Sequence, residues 1–467
     1  MITTTTTTTT TETDTANAIV GPTFQNLPLV PIPTDYRPDR TERGNPSQRT
    51  PNLLGYDLLV PHLLPPLHIA LVCLHTSPGA EPGSGDAGGM NVVVREQAAA
   101  LAAAGHTVDI LTRRSSFELA GTVQLTPGVT LRFLDAGPAE PVAKGDHEAF
   151  IEEFRLRMST MGPYDIYHSH HWFSGMAALP LARLCGVPHV QSFHSIAADA
   201  STPLSAGERP ESPGRMAGEV WLAHESDAIV AISAAEAETV VQSLGGSPDR
   251  VAIVPPGVDG GLFRPTTPEP DAGRGYAIVA ARLQPLKGLD LAIEAIAAVP
   301  EAVRPELVIA GDTSADFDGY VDELGSLAAR HGIETGVRFV GPQSRVALAA
   351  LLRGARVVLI PSHSETFGLV ALEGAASGVP VVAAASGGLR EAVLHGDTGV
   401  VLESRDPAVW AGAITTVLSN PGLAKRLSDA GRKHAEVLDW PRSAAGLLLV
   451  YRALVGPGAD RQHLAIA

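Results

Sequence analysis

Cysteine is nearly missing from this chain: Cys73 and Cys185 are the only 2 in 467 residues. Two such positions make no disulfide framework, and the scarcity fits a reducing, cytoplasmic setting. Basic residues are also outnumbered, 34 Lys and Arg against 50 Asp and Glu, for a net charge of -16. That balance argues against a nucleic-acid or anionic-membrane binder, although a local basic pocket remains compatible with it. No stretch approaches the roughly 20 consecutive apolar residues that a transmembrane helix needs. The N-terminus has neither a basic segment nor an apolar one behind it, so no secretory signal is expected. What remains is an ordinary globular mixture, 45% hydrophobic and 18% charged. A chain of this length can fill two cores.

Residues 1–66 stand apart, with an unbroken threonine run from Thr3 to Thr11 and many prolines. They read as a disordered or loosely docked extension. From residue 67 the pattern becomes strand, turn, helix, repeated. Apolar runs at His68–Leu74, Thr107–Leu111, Thr130–Leu134, Asp165–His168, His189–Phe193, Ala228–Ile232 and Val251–Val254 define a first domain, 67–262. A Pro-, Gly- and Thr-rich stretch, 263–275, reads as a linker. A second domain, 276–440, repeats the alternation with strands at Tyr276–Ala281, Glu306–Ala310, Val337–Val340, Val357–Ile360, Val379–Ala383 and Thr398–Leu402. Residues 441–467 form a last helix and tail that cross back to the first domain. Alternating strands and helices imply an α/β fold of two doubly wound, Rossmann-like parallel sheets facing each other across a cleft.

Three segments carry chemistry. Glu365-Thr-Phe-Gly-Leu-Val-Ala-Leu-Glu373 follows a buried strand and opens a helix. The two carboxylates lie about two helical turns apart, near one face. The amides of Thr366, Phe367, Gly368 and Leu369 are unpaired helix-start donors suited to a diphosphate. Glutamates at a helix start also serve simply as partners of its dipole. The second segment is the long loop from His75 to Asn91, which ends in Gly88-Gly89. Its Gly83, Gly85 and Gly88 have dinucleotide-fingerprint spacing, but they lie too far beyond the strand, and the next strand ends without a ribose-binding acid. A phosphate-approaching loop is the better reading, with a plain connection as the alternative. The third is Arg282-Leu-Gln-Pro-Leu-Lys287, a guanidinium and an ammonium at a sheet edge, placed to clamp a diphosphate or simply exposed. The acidic residues Asp316 and Asp318 read as a helix-start cluster and Asp312 as a turn residue, so no metal ligand is assigned.

Together and in this order, these segments, with Ser386-Gly-Gly388 behind them, resemble the GT-B glycosyltransferases of the retaining, glycogen-synthase-related family 4. The likeness covers about residues 68–455. It implies that Arg282, Lys287, Gly88 and Gly89 meet the donor diphosphate, Glu365 the donor sugar and Glu373 the nucleotide ribose. His194, in Ser192-Phe-His-Ser195, matches the family histidine near the reacting carbon. Within the family, His75-Thr-Ser-Pro78, Gly85-Asp-Ala-Gly-Gly-Met-Asn91, His168-Ser-His-His-Trp172 and Pro255-Pro-Gly-Val-Asp259 are most similar to the inositol-phosphate N-acetylglucosaminyltransferases of mycothiol biosynthesis. That likeness places His75, Asp86 and Asn91 beside the acceptor, and an acceptor phosphate among Lys144, His171, Ser195 and Arg215. This chain departs from the pattern in having His171 for Tyr and Ser195 for Thr.

The resemblance therefore implies transfer of N-acetylglucosamine, with retention, from a UDP-sugar to 1D-myo-inositol 3-phosphate. The UDP-sugar is a substrate, and no cofactor is called for. A family 4 enzyme acting on another sugar or sugar phosphate, as sucrose-phosphate synthase does, is the nearest alternative. A non-catalytic nucleotide-sugar-binding protein is a further one, which the intact set of Arg282, Lys287, His194, Glu365 and Glu373 disfavours. A membrane-lipid acceptor would want a basic amphipathic helix, and none stands out.

Overall fold

The computed structural model describes residues 65–81, 87–266, 275–313, 317 and 319–456. All of these lie in one compact unit, residues 57–467. Outside the described residues fall nearly all of the expected N-terminal extension, Gly83, Gly85 and Asp86 of the first loop, most of the expected linker, and the Asp316/Asp318 pair.

The first sheet is built from β1 (His68–Cys73), β2 (Thr107–Arg113), β3 (Thr122–Thr126), β4 (Val129–Leu134), β5 (Ile166–His170), β6 (His189–Ser192), β7 (Ala228–Ala231) and β8 (Val251–Ile253). Its order is β3-β4-β2-β1-β5-β6-β7-β8. β1 beyond His68 and β7 are buried on both faces and read as continuous apolar runs rather than alternating ones, whereas β5, equally buried, carries His168, Ser169 and His170. Crossovers are made by α1 (Gly89–Ala103), α2 (Ile151–Met158), α3 (Trp172–Cys185), α4 (Arg215–Glu225) and α5 (Ala234–Gln242). One strand was not expected. β3 is exposed and polar along most of its length and pairs antiparallel with β4 at the sheet edge.

The second sheet contains β9 (Tyr276–Ala280), β10 (Glu306–Ala310), β11 (Val337–Gly341), β12 (Val357–Ile360), β13 (Val381–Ala384) and β14 (Val400–Leu402). Its order, β11-β10-β9-β12-β13-β14, reverses direction of growth between β9 and β12. Ligands bind at that switch point in open α/β sheets. Its helices are α6 (Leu289–Ala298), α7 (Tyr320–Arg330), α8 (Arg345–Gly354), α9 (Leu369–Ala376), the short α10 (Leu389–Ala392), α11 (Pro407–Ser419) and α12 (Pro421–Glu436). Phe263, where the linker was expected to begin, is instead buried in this second core beside Ile278 and Val308.

The final helix, α13 (Trp440–Val455), returns to the first domain. Its Leu447, Leu448 and Tyr451 join the cluster formed by Ile69, Leu71 and Val94. Asp439 caps it by accepting from the Arg442 amide at 2.8 Å. Gln97 of α1 donates to Ser443 at 3.0 Å, fixing the helix against α1. Leu447 is fully buried. Its replacement by Ala should therefore lower stability by about 2–5 kcal/mol. Thermal or urea unfolding of Leu447→Ala checks this, and a midpoint equal to that of the parent protein would show that α13 is dispensable to the first core.

Candidate active site

The carboxyl ends of the strands of both sheets open on one cavity of about 350 Å³. The first domain contributes His75, Gly88, Gly89, Asn91, Lys144, His171, His194 and Ser195, and the second contributes Arg282, Lys287, Arg345, Glu365, Thr366, Phe367, Gly368, Leu369 and Glu373. Candidate residues scattered along the sequence are thus brought together. Arg215 is the exception: it is fully buried behind the wall and touches Ser195 through a 3.0 Å bond from its NH2 group. Asp86 lies outside the described residues.

Two helix starts meet in this cavity. A Cβ placed on Gly89, the first residue of α1, would stand 3.4 Å from Leu369 Cδ1 at the first turn of α9. Among the described residues, the first bonds back to each N-cap carbonyl come from Asn91 and Ala371, so the amides ahead of them point out of their helices. Gly368 precedes α9 at φ 102°, and a Cβ there would strike Leu389 at 2.4 Å. Gly387, at φ 49°, lets its loop run beneath Glu365, where a Cβ would come within 2.1 Å of the Glu365 carbonyl. The Thr366 hydroxyl donates to the His194 carbonyl at 2.7 Å and fastens the α9 start to the first domain. A second fastening lies behind it, where the amides of Ala234 and Ala235 donate to the Glu391 carboxylate at 2.9 and 3.2 Å.

The charged groups arrive paired. Lys287, raised on the turn Pro285–Lys287, donates to Glu365 at 2.6 Å, and Ser362 donates to the same oxygen at 3.2 Å. Glu373 is buried and pairs through one oxygen with Arg345, whose guanidinium lies 4.6 Å from the Phe263 ring centroid. Its other oxygen is buried without a hydrogen-bond partner among the described residues. Burial raises the Glu373 carboxyl above its ordinary range, and Arg345 opposes that rise.

On the first domain's side of the cavity, Lys144 bonds Glu208 at 3.0 Å. Arg215 holds Glu219 at 2.8 Å and is also paired with Glu211. Glu211 accepts in addition from Trp172 Nε1 at 3.0 Å and lies 3.4 Å from His171 Nε2. Arg215 is therefore a neutralised structural cation rather than the open positive charge expected of it. Asn91 lines the cavity and is also tied down. Its side-chain nitrogen donates to Thr76 and Ser77 at 2.9 and 2.8 Å, and its oxygen accepts from the Gly88 amide at 3.1 Å. It ties the loop to the start of α1.

Two histidines leave the strands in strained backbone: His171 at φ 71° and His194 at φ 61°. His194 Nε2 lies 2.8 Å from His170 Nδ1, one ring donating to the other. Burial pushes His194 down to about 4, so its imidazole is neutral near pH 7. His75 and His171, whose ring centroids are 4.3 Å apart, are likewise pushed well below their ordinary range by burial, with Lys144 and Arg215 adding to the effect.

The comparisons with known proteins agree with this geometry. Residues 87–260 match the family described as Glycosyltransferase Family 4, and residues 266–434 match Glycosyl transferases group 1. The D-inositol 3-phosphate glycosyltransferase of Frankia alni is 40% identical over 404 residues, spanning 83% of this chain and 99% of that protein. This chain belongs to glycosyltransferase family 4. The D-inositol 3-phosphate glycosyltransferase of Geodermatophilus obscurus is 41% identical over 408 residues, spanning 83% of this chain and 90% of that protein. Among solved structures, sucrose-phosphate synthase from Thermosynechococcus elongatus superposes with a TM-score of 0.76 at 25% identity, covering 83% of this chain and 99% of that one. The architecture is accordingly GT-B, and the protein is an enzyme of the glycosyltransferase class.

Several residues of this family 4 site escaped the sequence reading. Arg345, Ser362 and His170 each contact a residue that was singled out; Arg345 and His170 approach from other elements, and Ser362 from the same loop as Glu365. The carboxylates around Arg215 did carry a signal, since Glu211, Arg215 and Glu219 follow one another at helical i,i+4 spacing.

Replacing Arg345 with Gln should leave the Glu373 carboxylate buried and uncompensated, at a loss of about 3–5 kcal/mol near neutral pH. The same change raises the folded-state Glu373 further. Over the interval between its ordinary and raised values, the folded variant holds a proton that the unfolded chain has released. Stability should fall as pH rises through that interval and recover on acidification. Urea unfolding of Arg345→Gln from pH 5 to 8 reads this out, and a deficit that ignores pH would mean that Arg345 does not compensate Glu373.

Proposed function

We propose that the protein transfers N-acetylglucosamine from a UDP-sugar to 1D-myo-inositol 3-phosphate, with retention of anomeric configuration. The observation that carries this reading is the one cavity that Lys287, Arg282 and two helix starts line together with Lys144, His171 and Ser195. One face offers donors for a diphosphate, the other for a phosphomonoester. The D-inositol 3-phosphate glycosyltransferases that resemble the chain along most of its length support the choice of acceptor. The 2 free cysteines fit a cytoplasmic setting, which forms part of the proposal.

On this reading Arg282, Lys287 and the amides of Gly89 and Leu369, with Gly88, Thr366, Phe367 and Gly368 shaping the two helix starts, receive the diphosphate. Glu365 takes sugar hydroxyls, and the unpartnered oxygen of Glu373 accepts from the ribose. The neutral His194 stands beside the reacting carbon as a hydrogen-bonding group, not a cation. The bond from the sugar's anomeric carbon to the diphosphate breaks while the acceptor oxygen bonds to the same face. The acceptor's proton passes to the departing diphosphate. The protein's share is positioning and charge stabilisation. Lys144 and Ser195 hold the acceptor phosphate with His171, His75 lines the wall, and Arg215 acts through Ser195.

An acceptor screen tests the proposal: UDP-N-acetylglucosamine and UDP-glucose, each with inositol 3-phosphate, free inositol and fructose 6-phosphate. Turnover is expected with the first donor and first acceptor. A preference for fructose 6-phosphate would move the protein to a sucrose-phosphate-synthase-like activity. Lys287→Ala should lower kcat about 100-fold, the scale for losing one stabiliser of developing charge, and leave the acceptor KM within about threefold. A kcat near that of the parent would remove Lys287 from leaving-group stabilisation.

A further inference from the structure

The acceptor side of the cavity holds more negative charge than a phosphate site requires. Lys144 and Arg215 face three carboxylates: Glu208, Glu211 and Glu219. Two of these are anchored by other bonds. Glu219 accepts from the Ala197 amide at 3.0 Å as well as from Arg215, and Glu211 accepts from the Trp172 indole. Glu208 is held differently. It bonds Lys144 at 3.0 Å and lies 3.7 Å from Arg215, and among the described residues no backbone amide or ring donor fixes its carboxylate. Of the three, it alone lines the cavity. Its side chain keeps 28% exposure, against 12% and 1% for Glu211 and Glu219. Burial works against its charge, but Lys144, Arg215 and also Arg282 of the second domain hold its carboxyl well below the usual range.

We propose that Glu208 is a displaceable stand-in for the acceptor phosphate, occupying Lys144 while the site is empty and yielding to the dianion when the acceptor arrives. This rests on the phosphorylated-acceptor reading above. The exchange follows from charge. A phosphate dianion offers Lys144 and Ser195 more acceptor oxygens and more charge than one carboxylate does. A free polyol offers neither and leaves the Lys144–Glu208 pair closed. Glu208 thereby acts as a specificity determinant, setting a threshold that only a strong anion crosses.

Glu208→Gln keeps the side chain's shape and removes the competing charge. The KM for inositol 3-phosphate and the inhibition constant for inorganic phosphate should both fall, about five- to tenfold, the yield of relieving roughly 1 kcal/mol of ion pairing. The rate with free inositol should not gain. In a Lys144→Met background the same change should have no effect on either constant, since the cation being competed for is gone. Constants that stay level or rise in Glu208→Gln, or a gain that persists without Lys144, would overturn the proposal. Should the parent enzyme ignore inositol 3-phosphate, the acceptor reading fails on that control alone. Inhibition by inorganic phosphate then still decides the role of Glu208.

Discussion

The contact between the Thr366 hydroxyl and the His194 carbonyl, 2.7 Å across the cleft, sets the geometry on which everything else in the site depends. It joins the first turn of one domain's helix to the end of a strand in the other. With it in place, the starts of α1 and α9 stand side by side, close enough that a side chain on Gly89 would touch Leu369. Each helix start carries partial positive charge and amides without intrahelical partners. One such end attracts an anion weakly. Two ends converging from separate domains, in a cavity that Arg282 and Lys287 also line, would on the proposed function receive the donor diphosphate. Buried Val92, Val93 and Trp440, packed against Leu369, give the closed arrangement an apolar floor.

Around this junction the protein spends backbone strain on placing two histidines. Positive φ at a non-glycine residue costs on the order of 1–3 kcal/mol and persists only where its surroundings enforce it. At His194 the enforcement is visible on both sides: the ring is held by His170, and the carbonyl is held by Thr366. The ring stays neutral because burial removes the water that would stabilise its charge. A neutral ring can donate or accept beside a reacting sugar without repelling the cations that grip the diphosphate.

Much of this architecture was legible because several parallel strands buried on both faces are apolar runs, as Val357–Ile360 and Ile69–Cys73 are. The glycines at 368 and 387 were legible too, since positive φ and close approach there suit only glycine. What escaped notice depended on partners distant in sequence. β3 is an exposed, polar edge strand with no apolar signature, defined only by pairing with β4. Phe263 sits in a linker-like composition yet fills the second core and carries Arg345 on its ring. Asn91 and Arg215 were recognised as important residue types, but sequence alone does not say that loop oxygens consume one and two glutamates neutralise the other. Residue type indicated capacity for chemistry, and only packing showed how much of that capacity was already spent.

That distinction gives the charge pattern of the whole molecule its meaning. On the proposed function, a protein with a net charge of -16 binds both an anionic donor and an anionic acceptor. Isolated buried cations would attract both, but an empty site lined with unpaired Arg and Lys carries a heavy desolvation penalty. The structure eases the conflict by pairing four of these cations in advance: Lys287 with Glu365, Arg345 with Glu373, Lys144 with Glu208, and Arg215 with Glu211 and Glu219. Such pairs keep the empty cleft stable. They also set a threshold, because an incoming ligand gains only the difference between its own contacts and those it displaces. Ligands with concentrated negative charge clear that threshold and neutral ones do not, so the selectivity of the cleft lies as much in its glutamates as in its cations.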